Sequence, residues 1–230
     1  VYQVKKLLIA VKSCQRDLDR GDHNIIRNTW GADAKAAGID VKFFVGKAFK
    51  QYASDEVHLQ CDDDYNALPY KTREICRWAT GKIVDTLFLC DTDTYVNIAK
   101  LQQIDYASYD YAGHFGGGPD STSQTFKYRA VNRDHTITEH HERCYPWASG
   151  GIGYFLSRNA YNEVAFSQPT SWAEDLWVGQ IIGAQAAEGR MKIFDTAHAP
   201  ASWHFPQGAY GSQYDPKFDW MGKMHEKKGL

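Results

Sequence analysis

The 230-residue chain contains no apolar run long enough to span a bilayer, and its opening VYQVKKLLIAVKSC lacks the layout of a signal peptide. Asn occurs at several positions, yet none forms an Asn-x-Ser/Thr acceptor. The five cysteines, Cys14, Cys61, Cys76, Cys90 and Cys144, show no C-x-x-C spacing and are odd in number. That argues against a zinc ribbon and against a full disulfide framework. Charge of one sign is not in excess: 26 Lys and Arg stand against 28 Asp and Glu, which argues against a strongly basic nucleic-acid binder. No internal repeat is present. The missing sequon and the cysteine usage favour a reducing, non-secretory compartment over a lumenal domain cut from a longer, membrane-anchored parent.

A hydrophobic fraction of 43% suits one large α/β domain. KKLLIAVKSC reads as a first strand and His23–Ala37 as a helix. VKFFVGK and the weaker EVHLQC read as two further strands, followed by a helix over about Tyr65–Ala79. VDTLFLCDTD is the most hydrophobic strand, and a helix near Ile98–Ile104 follows it. This alternation implies a mostly parallel sheet with helices on both faces, whose ligands bind beyond the carboxyl ends of the strands. After Gly116–Pro119, a loop signal, FKYRAV reads as a strand of a smaller mixed sheet. YPWASGGIGYFLS reads as a Gly-rich turn entering a strand, NAYNEVAF and EDLWVGQIIGAQAAEG as helices, and the tail from His198 shows no period.

D-x-D occurs three times. Asp17/Asp19 falls in a polar segment that reads as a solvated loop, and Asp62/Asp64 as an acidic turn or helix start. Only Asp91/Asp93 ends a long buried strand, where alternation turns both carboxylates to one face and Thr92 away. Carboxylates suit Mg²⁺ or Mn²⁺ held together with substrate phosphates. On context alone, a metal site and a plain strand terminus are equally good readings. The run HTITEHHERC, with His135, His140, His141 and Cys144, fits no closed tetrahedral zinc pattern and reads as a lid or acceptor loop.

Five segments in order resemble the glycosyltransferases that include the β-1,3-galactosyltransferases, the β-1,3-N-acetylglucosaminyltransferases and the Fringe-type enzymes. They are RNTWG (27–31), DYNALPYKT (64–72), DTDTYVN (91–97), YPWASGGIGYFLS (145–157) and EDLWVG (174–179). Thr92 stands in place of the middle acid of the family's metal motif, and Trp147 where an aromatic is usual. The resemblance implies a GT-A-type, Rossmann-like α/β fold, with a nucleotide-binding part over about 1–115 and an acceptor-binding part over about 116–230 of one domain. It implies an inverting, metal-dependent glycosyltransferase moving a sugar from a nucleotide sugar, most readily UDP-linked, to a glycan or glycoprotein acceptor.

By the same resemblance Asp93 ligates Mn²⁺ or Mg²⁺, and Asp91 supports the metal's water shell or the ribose. His204, preferred to His198, is a late metal ligand. Arg27, Lys71 and Thr92 are candidates for nucleotide contact, with a surface salt bridge the competing reading for Arg27 and Lys71. Asp175 is the base, and Glu174 beside it orients the acceptor. Trp147, Gly150, Gly151 and Tyr154 border the sugars. Two rival classes share some of these features: another metal-dependent nucleotide or phosphoryl transferase, and a non-catalytic carbohydrate-binding protein of the same shape.

Overall fold

The computed structural model describes residues 6–47, 53–115, 125–131, 137–143, 145–198, 200–204 and 216–227. The chain runs β1 (Leu7–Lys12), α1 (Gln15–Arg20), α2 (Asp22–Asn28), α3 (Trp30–Ala36), β2 (Asp40–Val45), β3 (Glu56–His58), α4 (Leu68–Thr80), β4 (Thr86–Asp91), β5 (Thr94–Val96) and α5 (Ile98–Leu101). It continues through β6 (Tyr111–Gly113), β7 (Thr125–Val131), β8 (Ile137–Arg143), β9 (Tyr154–Ser157), α6 (Arg158–Phe166), α7 (Glu174–Ala187), β10 (Ile193–Asp195), β11 (Ser202–His204) and α8 (Pro216–Glu226).

Seven strands form one sheet in the order β10-β6-β9-β4-β1-β2-β3. β4, β1, β2 and β3 are mutually parallel, as the alternating pattern implies, while β9 lies antiparallel to both its neighbours. β1 is buried at all six positions, so its alternation does not divide core from solvent; it divides one core from another. Leu8 and Ala10 join Leu87, Leu89 and Leu156 in the layer shared with α4, α6 and α7. Leu7, Ile9 and Val11 join Phe88, Cys90 and Phe155 in the layer shared with α2, α3, α5 and α8. Lys12 and Asp91 continue the first of these parities. They are partners in the β1–β4 register, so both point to the α4/α7 face at the carboxyl edge of the sheet.

Several expectations are corrected. The helix expected over His23–Ala37 is α2 and α3, broken at Thr29, where the backbone leaves the helical region (φ −119°, ψ −117°) and the hydroxyl donates to the Ile25 carbonyl at 2.7 Å. The segment around Asp17 is not a solvated loop but α1, with Asp17 buried. The second acidic cluster is a helix start: Asp64 caps a 3-10 turn, Tyr65–Ala67, ahead of α4. Ile137–Arg143, expected as a lid loop, is the strand β8, paired antiparallel with β7; charged side chains masked the β-branched Ile137 and Thr138. The smaller sheets among the described residues are antiparallel two-stranded pairs, β7–β8 and β5–β11. The tail yields α8, opened by Pro216 and ending with Lys223 and His225 in its last turn. Gly116–Pro119, His135 and Cys144 lie outside the described residues. Among the described residues no helix is long and apolar enough to cross a membrane.

Candidate active site

The carboxyl edge of β1 and β4 meets the start of α7 in a compact group of charges. Lys12 is a buried ammonium at 3.2 Å from Asp91 Oδ1 and 3.1 Å from Glu174 Oε2. Burial opposes its charge, but Asp91 and Glu174 more than offset that and hold its pKa well above the usual lysine range. The other Glu174 oxygen accepts from Thr72 Oγ1 at 2.8 Å and from the Tyr154 hydroxyl. Glu174 thus ties β1, α4, β9 and α7 together from inside. A buried carboxylate is stable only when its acceptor sites are filled in this way.

Asp175 differs from its neighbour. It is half-buried, and among the described residues its carboxylate accepts from two backbone N–H groups, Gly150 at 3.2 Å and Leu176 at 2.8 Å. Burial first, and then the Glu174 charge, raise its pKa above the ordinary carboxylate value, against the pull of those N–H groups and of Lys12. Asp91 is also raised, by burial and by Asp93 and Glu174, despite Lys12 beside it.

The Gly-rich turn seals this group. A Cβ on Gly150 would fall 2.8 Å from Glu174 Oε2 and 3.2 Å from Lys12 Nζ, so only glycine lets the backbone reach the ion cluster. Gly153 adopts φ +97°, with Phe88 and the Leu89 carbonyl where a Cβ would be. Thr94 fastens the turn to the acidic motif. Its hydroxyl donates to the Gly151 carbonyl at 2.7 Å and accepts from the Asp91 N–H at 3.1 Å. Trp30, from the RNTWG block, donates its indole N–H to the Thr94 carbonyl at 3.1 Å and so braces the motif from behind.

The structure therefore brings Asp91, Glu174, Asp175, Gly150 and Gly151 together, with Asp93 buried two residues beyond Asp91. Tyr154 reaches the group from within the core, fully buried and bonded to Glu174. Trp147 packs with Leu176 and Ala173 at the start of α7. Thr92 points to the opposite layer and donates to Asp17 Oδ2 at 2.9 Å.

Lys71 and Arg27 are engaged by protein groups elsewhere. Lys71 is buried, donating to the Ser13 carbonyl and to Asp63 Oδ1, 2.7 Å away. Arg27 stands in the α2 layer with Asp55 and Glu56, both at 2.7 Å. There it closes a buried chain in which Ser13 Oγ meets His23 Nε2 at 2.7 Å and His23 Nδ1 meets Glu56 at 3.0 Å. Burial lowers the His23 pKa from the ordinary imidazole value, against the pull of Glu56.

Lys12 and Thr72 are members of the group that the sequence reading did not single out. A lysine closing an otherwise apolar buried strand, LLIAVK, is the signal that marks the first.

The metal expectation can be tested against the donor set. Among the described residues no three His, Cys, Asp or Glu side chains gather as a metal-holding group. Mg²⁺ and Mn²⁺ are commonly held by only one or two carboxylates, with substrate phosphates completing the shell. Asp91 and Asp93, crowded enough for one to raise the other's pKa, suit a cation that arrives with its nucleotide. β11 sets the His204 backbone opposite Thr94, the residue after Asp93, whereas His198 is exposed on a turn.

No curated protein matches the chain. Among solved structures it is similar to a glycosyltransferase involved in glycosylation of the major capsid of PBCV-1, with 10% identity, TM-score 0.43, and coverage of 94% of this chain and 99% of that one. It is also similar to the catalytic domain of Drosophila beta1,4galactosyltransferase 7 in complex with xylobiose, at 11% identity and TM-score 0.47, covering 98% and 81%. The inositol-1-phosphate CTP transferase of T. maritima gives 11% identity and TM-score 0.49, covering 97% and 98%. The galactosyltransferase family model matches residues 22–188, from α2 through the end of α7, and so takes in every element of the charged group except β1. A match over that much of 230 residues places the chain in the galactosyltransferase family.

Proposed function

We propose that the protein is an inverting, metal-dependent glycosyltransferase that moves a sugar from a UDP-linked donor to a hydroxyl of a glycan acceptor. One observation carries the reading: Asp91 at the end of a central strand and Glu174, the neighbour of Asp175 at the start of a separate helix, are held by the same buried Lys12, in a chain of this family. Through a divalent cation the acidic pair suits the charged donor, and Asp175 suits a neutral acceptor.

Asp175 takes the proton of the acceptor hydroxyl as its oxygen attacks the anomeric carbon. The new C–O bond forms while the bond to the diphosphate breaks, and that electron pair leaves with the diphosphate. A single attack from the face opposite the leaving group inverts the anomeric centre. A base works best with a pKa near the operating pH, which is the direction in which burial and Glu174 move Asp175. Asp91 and Asp93, with His204 as a further ligand, would hold Mn²⁺ or Mg²⁺, which offsets the charge of the departing diphosphate. Lys12 and Glu174 keep Asp91 and Asp175 at a fixed separation, so the groups need little reorganisation during transfer. Gly150, Gly151 and Trp147 wall the sugar side. Lys71, Thr92 and Arg27 support the strand ends and loops that frame the nucleotide.

The test is Asp175→Asn assayed with UDP-galactose, UDP-glucose and UDP-N-acetylglucosamine. Transfer is expected to fall by about 10²–10⁴-fold, the usual contribution of a general base, with affinity for UDP and Mn²⁺ unchanged. Transfer at the wild-type rate in that variant would overturn the assignment of the base.

A further inference from the structure

We propose that Tyr65 and Trp172 form a platform on which a pyranose ring of the acceptor lies, with its reacting hydroxyl turned to Asp175. The inference rests on the glycosyl-transfer reading and adds the part of the site that binds the second substrate.

Tyr65 opens the 3-10 turn ahead of α4, the helix that sends Thr72 to Glu174. Its ring is 68% exposed, and among the described residues only Ile83 and Phe166 are other large hydrophobics with comparable exposure. Trp172 lies in the segment entering α7, three residues before Asp175. The two rings stand 6.1 Å apart, tilted by 44°, and so join the approach to α4 with the approach to α7. The pair thus stands at the entry to α7, whose first two residues are Glu174 and Asp175.

The place of Trp172, three residues before the base Asp175, favours the acceptor, which the base meets, over the donor's nucleobase or sugar, which could also stack on such rings. The donor's diphosphate calls for a cation and for the carboxylates that hold it, and an aromatic pair supplies neither. A pyranose carries a face of C–H groups and a rim of hydroxyls. An aromatic ring takes up the C–H face without consuming the hydroxyls, leaving the reacting one for the base. Glu174, the other carboxylate beside Asp175, already accepts from Thr72, Tyr154 and Lys12. Orientation of the acceptor therefore falls to surfaces without charge, and the rings at the entry to α7, Tyr65 exposed and Trp172 partly so, are such a surface.

Saturation-transfer NMR with the methyl β-glycosides of galactose, glucose and N-acetylglucosamine tests the platform directly. Calorimetry with UDP and Mn²⁺ on the same samples monitors the donor side. In the wild type, saturation should concentrate on the ring C–H protons of one sugar face. Tyr65→Ala and Trp172→Ala should each weaken glycoside binding by about five- to ten-fold, as loss of one aromatic contact does. Trp172→Phe should recover most of it, and UDP affinity should stay unchanged throughout. Both positions face solvent at least in part, so these variants should fold.

Three results would overturn the platform. Glycoside binding could survive both alanine variants, UDP affinity could fall in parallel, which would make the rings a nucleobase site, or a wild type that binds UDP could contact none of the glycosides. Glycoside contact at the rings in a protein that binds no nucleotide would keep the platform and remove the transfer reading instead.

Discussion

At the scale of single residues, the site is organised by one buried cation among carboxylates. Lys12 neutralises Asp91 and Glu174 at close range, so removing it leaves buried negative charge without compensation. Lys12→Met is expected to destabilise the fold by about 3–5 kcal/mol in chemical denaturation, and adding Glu174→Gln should restore part of that loss. Asp175 works in the opposite sense. A carboxyl with a raised folded-state pKa binds its proton more tightly in the native protein than in the unfolded chain. Its charge therefore costs stability as pH rises from the ordinary carboxylate range through the raised value. Asp175→Asn should consequently melt higher than wild type at neutral pH, with the difference vanishing below the ordinary carboxylate range. The acid limb of the wild-type rate profile should lie above that range as well. A lower melting temperature for the variant at neutral pH would contradict this. The acidic residues of the group were legible in the sequence because they fall in spaced motifs. Lys12 was not, because its role depends on β1 and α7, which are 162 residues apart where Lys12 meets Glu174.

At the scale of elements, α7 presents two glycines to the segment before the Gly-rich turn. A Cβ on Gly179 would lie 2.4 Å from Trp147 Cβ and 2.9 Å from the Pro146 carbonyl, and one on Gly183 2.6 Å from that same carbonyl. Replacing a helical glycine by alanine ordinarily stabilises by about 1 kcal/mol. Gly222→Ala in α8, where nothing among the described residues lies within 4 Å of the added Cβ, should follow that rule. Gly179→Ala should instead destabilise by about 1–3 kcal/mol through overpacking, and it should depress transfer by shifting Gly150 away from Asp175. Thermal melts of the two variants side by side check the contrast. Helices with steady apolar spacing, such as α4 and α6, were visible in the sequence. The break at Thr29 was not, because it depends on a threonine hydroxyl bonding back to Ile25. The strand β8 was hidden by its charges, and α8 by a tail whose aromatics pack on a distant layer, where Trp220, Met221 and Met224 meet α2 and α3 residues.

At the scale of the whole molecule, the sheet does not divide where the sequence changes character near residue 115. β9, from the later half, inserts between β4 and β6 and carries the Gly-rich turn to the end of β4. The strand order explains why motifs far apart in the chain share one edge: β1 and β4 supply Lys12 and Asp91, β9 anchors Gly150–Gly153, and α7 returns Asp175 over them. Parallel strands with long crossovers were evident from the alternation of segments, but the antiparallel insertion of β9 was not, since four residues of YFLS carry no direction.

Whether Asp91 and Asp93 form a cation-dependent nucleotide site is read out by calorimetric titration of UDP with and without Mn²⁺. GDP, CMP and ADP serve as competitors, and the titration is repeated on Asp93→Ala. UDP binding is expected to require Mn²⁺, to exceed that of the other nucleotides and to disappear in the variant. UDP binding that is indifferent to Mn²⁺ and survives Asp93→Ala, or no binding of any nucleotide to the wild type, would contradict such a site.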